Sequence, residues 1–192
     1  MKYDDVKVAG ALLFAGSIQC LLGMVIAEAL YPGYSVSGNY ISDLGVGTTS
    51  LIFNSSVFLL GVIAIIGAWF IQRAFDSRLL SVLLTLTGFG AMGVGLFPET
   101  FGVVHGIASL ITFLFGGLSA IVSYRLQKPP LSFLSVLLGA MSLAALALFG
   151  SSTYLGLGKG GMERMIAYPV LLWAVGFGGF LMGYPQESAT KS

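Results

Sequence analysis

Six runs of about twenty mostly apolar residues divide this chain, and each is long enough to cross the hydrocarbon core of a bilayer as a helix. They lie near 8–30, 51–71, 79–97, 106–124, 131–150 and 162–183. Of the 192 residues, 56% are hydrophobic and only 9% charged, and mean hydropathy is +0.93. A soluble domain is about 25% charged, so these residues cannot supply a water-facing surface. In lipid they need not, because each helix satisfies its own backbone and presents apolar side chains outward. The expected fold is all-α: a polytopic membrane bundle of six transmembrane helices, a single domain over 1–192. The opening MKYDDVK carries both signs of charge. The apolar run behind it exceeds a signal-peptide core and lacks a clear A-x-A exit, so it reads as a retained first span.

Orientation follows from the basic residues. With six spans, the side holding the N-terminus holds Lys2, Lys7, Arg73, Arg78, Arg125, Lys128 and Lys191, and the other holds only Lys159 and Arg164. Cytoplasmic loops are enriched in Lys and Arg, which places both termini in the cytoplasm and the protein in the cell membrane as a multi-pass chain. The cytoplasmic links QRAFDSR and RLQKPP are short. The outer links YPGYSVSGNYISDLGVGTTS, PETFGVVH and SSTYLGLGKGG are longer, and loops on a rigid scaffold commonly carry function. The outward-going helices end alike, in EALYPG, GLFPE and ALFGS, and two return helices carry a double glycine. This suggests three repeated hairpins, as internal repeats recur in membrane folds. Small residues four apart (Ala91 and Gly95, Ala140 and Ala144, Gly179 and Gly183) are expected to pack inside the bundle.

Several classes are excluded. A net charge of +1 carries no nucleic-acid footprint. There is no G-x-S-x-G, no H-E-x-x-H and no Walker loop. A single histidine cannot build a three-histidine zinc centre, and no metal or cofactor is expected. The lone Cys20 cannot form an internal disulfide. Span middles almost free of charge argue against an ion-coupled transporter.

Seven ionisable residues fall on the outer side: Glu28, Asp43, Glu99, His105, Lys159, Glu163 and Arg164. Glu28 lies one turn before its helix ends and reads best as a headgroup-level carboxylate in water. Ser37 to Gly45 reads as a short capped element, with Tyr40, Ile41 and Leu44 on one face. Asp43 is either an acceptor for loop N–H groups or a functional carboxylate. Glu99 follows Pro98, where a helix's first turn favours a carboxylate. His105 shares a helix face with Ser109 and could shuttle a proton. Arg164 could pair with Asp43 or Glu99, or bind a phosphate or carboxylate with its fork. Pro169 frees a backbone acceptor near Met165. Gln19 reads as interhelical glue, Trp69 as an interfacial aromatic and Trp173 as packing.

The stretches YPGYSVSGNYISDLG, LFPE, HGIAS and GGMERMIAYPVLLW resemble DUF998, a prokaryotic family of small membrane proteins of unknown function. The resemblance runs from the first span to the sixth. It implies Ser42, Asp43, Glu99, His105, Glu163 and Arg164 as site residues and brings no activity. That family is in turn distantly similar to the damage-regulated autophagy modulators, six-span proteins linked to lipid handling.

Three functions stay open. The first is binding of a membrane lipid headgroup or similar amphiphile, with Arg164, Glu163, Asp43, His105 and Glu99 at the ligand and Tyr31 and Tyr34 on the rim. The second is a structural or assembly subunit, with a homo-oligomer as one form of it. The third is an intramembrane lipid hydrolase or transferase, with His105 as base, Asp43 or Glu99 orienting it and Ser42 as nucleophile.

Overall fold

The computed structural model describes residues 2–185. Six long helices carry the chain: α1 (Lys2–Leu30), α2 (Ser50–Phe75), α3 (Arg78–Leu96), α4 (Val103–Val122), α5 (Leu131–Gly150) and α6 (Gly158–Met182). All six are long and apolar enough to cross a membrane. No strand occurs among the described residues. The predicted spans fall within these helices to a few residues. The largest shift that matters is at α6, which starts at Gly158. Glu163 and Arg164 therefore sit in its second turn rather than at its opening.

The helices run up and down, each packing on its chain neighbours, and α6 closes the ring against α1. One end of the bundle, here the proximal end, holds both described chain ends. Arg73 at the end of α2 pairs with Asp5 at the start of α1, and Tyr184 packs edge-on against Phe75. Arg78, Arg125 and Lys128 flank the links at this end. Lys191, read onto the same side, lies outside the described residues. The opposite, distal end holds the links 31–49, 97–102 and 151–157.

Two large cores and a small cluster around Ala145, Met162 and Ile166 fill the bundle. The proximal one is built around Ile71, Leu80, Phe177 and Leu181, all fully buried. Trp173 stacks on Phe177 and donates its indole N–H to the Ser123 hydroxyl at 2.9 Å, so its polar atom is satisfied as buried indoles require. The distal core includes Cys20, Met24, Ile41, Leu44, Phe53, Val57, Ala91 and Leu171. Between them Gln19 donates to the Ser56 carbonyl of α2 at 2.9 Å, the glue expected of a mid-span amide. Exposed Trp69 lies at the proximal end with the Arg73 guanidinium 4.6 Å from its ring centroid.

Small residues set how closely helices approach, though not always the expected ones. Ala91 is buried, but Ala140 and Ala144 face outward. The α4–α5 contact rests instead on Gly117 and Gly139. A Cβ on Gly139 would lie 2.6 Å from the Gly117 carbonyl oxygen, so the two backbones touch there. Toward the distal end, space opens between the same two helices: a Cβ on Gly106 or on Gly150 would meet nothing within 4 Å.

Candidate functional site

The loop over the distal end is ordered by its own short polar side chains. Asn39 Oδ1 accepts the N–H of Ser35, and Asn39 Nδ2 donates to Asp43 Oδ2 at 2.8 Å. The same carboxylate oxygen accepts the Tyr40 N–H at 2.9 Å. Asx side chains commonly organise turns in this way. The chain then enters a 3₁₀ turn, Ser42–Gly45, which buries Ile41 and Leu44 in the distal core. Asp43 thus takes the loop-acceptor place foreseen as one of its two readings.

Gly160 docks this loop onto α6. Its N–H donates to the Ser37 carbonyl at 3.0 Å, and a Cβ there would fall 1.9 Å from the Asn39 carbonyl oxygen. No other residue fits. One turn on, Glu163 Oε2 accepts the Ile41 N–H at 2.5 Å. A carboxylate of α6 thereby holds the segment that leads into Ser42.

Arg164 points the other way, toward α1. Its fork donates to the Val36 and Gly160 carbonyls, each at 2.9 Å, and to the Tyr34 hydroxyl at 2.8 Å. The remaining terminal nitrogen contact is an ion pair with Glu28. Two expectations are corrected here. Glu28 is a half-buried partner of Arg164 rather than a carboxylate in water, and Arg164 pairs with neither Asp43 nor Glu99. The reason is the closed ring, which puts α6 beside α1. Tyr34 and Tyr31 belong to this clamp as an edge-to-face pair and line neither chamber of the cavity. Burial pushes the Tyr34 phenol up to about 12 despite the adjacent Arg164.

Ser42, Glu99, His105 and Glu163 do converge. All four line a cavity of about 390 Å³ between α4, α5 and α6, rimmed by exposed Leu110 and Gly150. Behind it lies a narrower chamber of about 90 Å³ that reaches Cys20, Phe53, Leu60 and Thr87 in the bundle interior. Ser42, His105, Ser109, Phe113 and Glu163 line both chambers, so the two adjoin at these residues. The inner chamber is apolar, and the polar atoms gather where the two meet.

The Ser42 hydroxyl donates to Glu99 Oε2 at 3.2 Å. Burial raises the Glu99 pKa above its ordinary 4.5, and the neighbouring Asp43 carboxyl raises it further. For Asp43, burial acts upward too, but the hydrogen bonds from Asn39, Glu99 and the Tyr40 N–H prevail and hold it below 3.8. The two carboxyls thus shift in opposite directions, so Glu99 takes up a proton before Asp43 as pH falls. His105 Nδ1 lies 2.8 Å from the Phe97 carbonyl. A carbonyl can only accept, so Nδ1 carries a proton and the neutral ring keeps its lone pair on Nε2. His105 is 8% exposed and lines both chambers. Lys159 stays outside, its ammonium 4.0 Å from the Tyr40 ring centroid.

The catalytic triad drawn from the sequence is not assembled. Ser42 gives its proton to Glu99, while Phe97 rather than Asp43 or Glu99 orients His105. Among the described residues, no group of three or more His, Cys, Asp or Glu could hold a metal. Sequence reasoning missed the apolar chamber, since its lining is spread over five helices and the distal loop. It also missed Gly106 and Gly150, whose signal is a glycine at the distal end of each of two successive helices.

Residues 14–179 match the family described as "Protein of unknown function (DUF998)". The chain belongs to the DUF998 family. No curated protein matches it, and no solved structure does; nothing here supports the more distant similarity to the autophagy modulators. The DUF998 match covers α2 to α5 entirely and most of α1 and α6. Every residue of the cavity and of the Arg164 clamp lies inside it.

Proposed function

We propose that this integral membrane protein binds a membrane amphiphile, with the polar head among Ser42, Glu99, His105 and Glu163 and the chain in the apolar chamber behind them. The observation that carries this reading is the two-chambered cavity. It is apolar at depth and polar at one level near the helix ends, and its wall includes exposed Gly106, Leu110 and Gly150 of α4 and α5. Ligand sites are mostly apolar with a few convergent polar groups, and exposed residues on the flank of a spanning bundle face lipid. Basic residues concentrated at the proximal end favour the cytoplasm there, which sets the site at the outer leaflet.

The test is mass spectrometry of the chain released from native membranes, beside Gly106→Trp. Gly106 lines the cavity and a Cβ there meets nothing within 4 Å, which leaves room for an indole to start into it. Binding predicts a defined co-purifying amphiphile that the variant loses while melting as the parent does. Equal lipid content in both would refute it.

The structural reading keeps support from the clamp. Arg164 joins α6 to Glu28 of α1 and to the Val36 carbonyl of the loop, which is bracing rather than ligand contact. Both roles coexist in one bundle.

A further inference from the structure

We infer that the headgroup taken by this cavity is cationic, an ammonium that donates hydrogen bonds, rather than a phosphate or carboxylate. The inference rests on the proposed amphiphile binding and adds the sign of the charge.

The argument begins with the two cations near the site. Arg164 is the natural anion receptor, yet its terminal nitrogens are spent on Glu28, Tyr34, Val36 and Gly160. It lines neither chamber. Lys159 sits on the Tyr40 face and lines neither chamber either. The ionisable groups that do line the chambers are Glu99, Glu163 and His105.

Their hydrogen-bonding character points the same way. Glu163 accepts one N–H through Oε2 and is 8% exposed, so its second oxygen is left for whatever enters the cavity. In its neutral form His105 offers the Nε2 lone pair, because Nδ1–H is committed to the Phe97 carbonyl. Glu99 already accepts from Ser42 and keeps capacity for more. An anionic head would meet two carboxyl groups and an acceptor nitrogen in a dry site, where like charge is costly. An ammonium brings three donors and the complementary charge. Aromatic Phe113 and Phe149 on the wall add faces that attract cations.

Three probes of equal chain length separate the possibilities: dodecylamine, dodecanol and dodecanoate, added to the full chain in phosphatidylcholine nanodiscs at pH 7 and read by native mass spectrometry. An alkyl ammonium stays charged there, as Lys does. The expected order is amine first, at least tenfold tighter than the alcohol, with dodecanoate weakest. Glu163→Gln should cut amine affinity about tenfold and leave dodecanol unchanged, and Glu99→Gln provides a second variant should the first fold poorly. Equal binding of all three, or preference for dodecanoate, overturns the charge assignment while binding stands. Failure of all three to bind, with no loss of native lipid in Gly106→Trp, overturns both.

Discussion

Arg164 on α6 and Glu28 on α1 are joined as an ion pair across 136 positions of sequence. The Arg164 side chain is 7% exposed and that of Glu28 20%. Removing one member of a buried pair strands the other, at about 3–5 kcal/mol. Arg164→Met is therefore expected to lower the unfolding midpoint sharply in detergent titration. Glu28→Leu with Arg164→Met should recover part of the loss, since a matched apolar pair leaves no lone charge.

The α4–α5 contact makes a contrasting prediction. Gly139→Val drives a branched side chain into the Gly117 backbone, and overpacking of this kind costs about 1–3 kcal/mol. Gly106→Trp, eleven residues from Gly117, should leave thermal stability unchanged. A melting comparison of the two variants checks both expectations at once.

The opposite pKa shifts of Glu99 and Asp43 give a pH dependence of definite sign. The Glu99 pKa is raised on folding, so its contribution is full below about 4.5 and disappears as pH rises through the folded value. The Asp43 pKa is lowered, so its contribution is present above about 3.8 and is lost as pH falls through the folded value. Melting temperature should therefore peak in mild acid. Glu99→Gln should flatten the alkaline side of that peak and leave the acid side in place.

Ser42 donates to Glu99 rather than to a histidine, so no imidazole is placed to take the proton of its hydroxyl. A fluorophosphonate probe is expected to leave Ser42 unlabelled in nanodiscs, as read by peptide mass spectrometry. Labelling there would revive the hydrolase reading.

The helices were legible because length and apolarity suffice to specify a span, and the Asn39–Asp43 loop because short polar side chains act locally. Ser42, Glu99, His105 and Glu163 stood out as polar residues at helix ends, and the structure does bring them together. The partner of Arg164 was not legible. Choosing among Glu28, Asp43 and Glu99 requires knowing which helix closes the ring and how α6 is rotated about its axis. Neither follows from hydropathy when a helix is apolar on most sides. Near Pro169, whose missing N–H leaves the Met165 carbonyl without its helical donor, the Ser142 hydroxyl reaches the next carbonyl, that of Ile166, at 2.7 Å.

The backbone contact at Gly117 and Gly139 works as a fulcrum. From it, each helix runs eleven residues to Gly106 or Gly150, a lever arm of about 16 Å at the usual helical rise. A change of about 5° in the angle between those arms moves their tips by about 1.5 Å. Under the proposed amphiphile binding, the girth admitted is thus governed from the middle of the bundle, by two residues that touch no polar group of the site. Head chemistry and chain width can then diverge independently among DUF998 proteins.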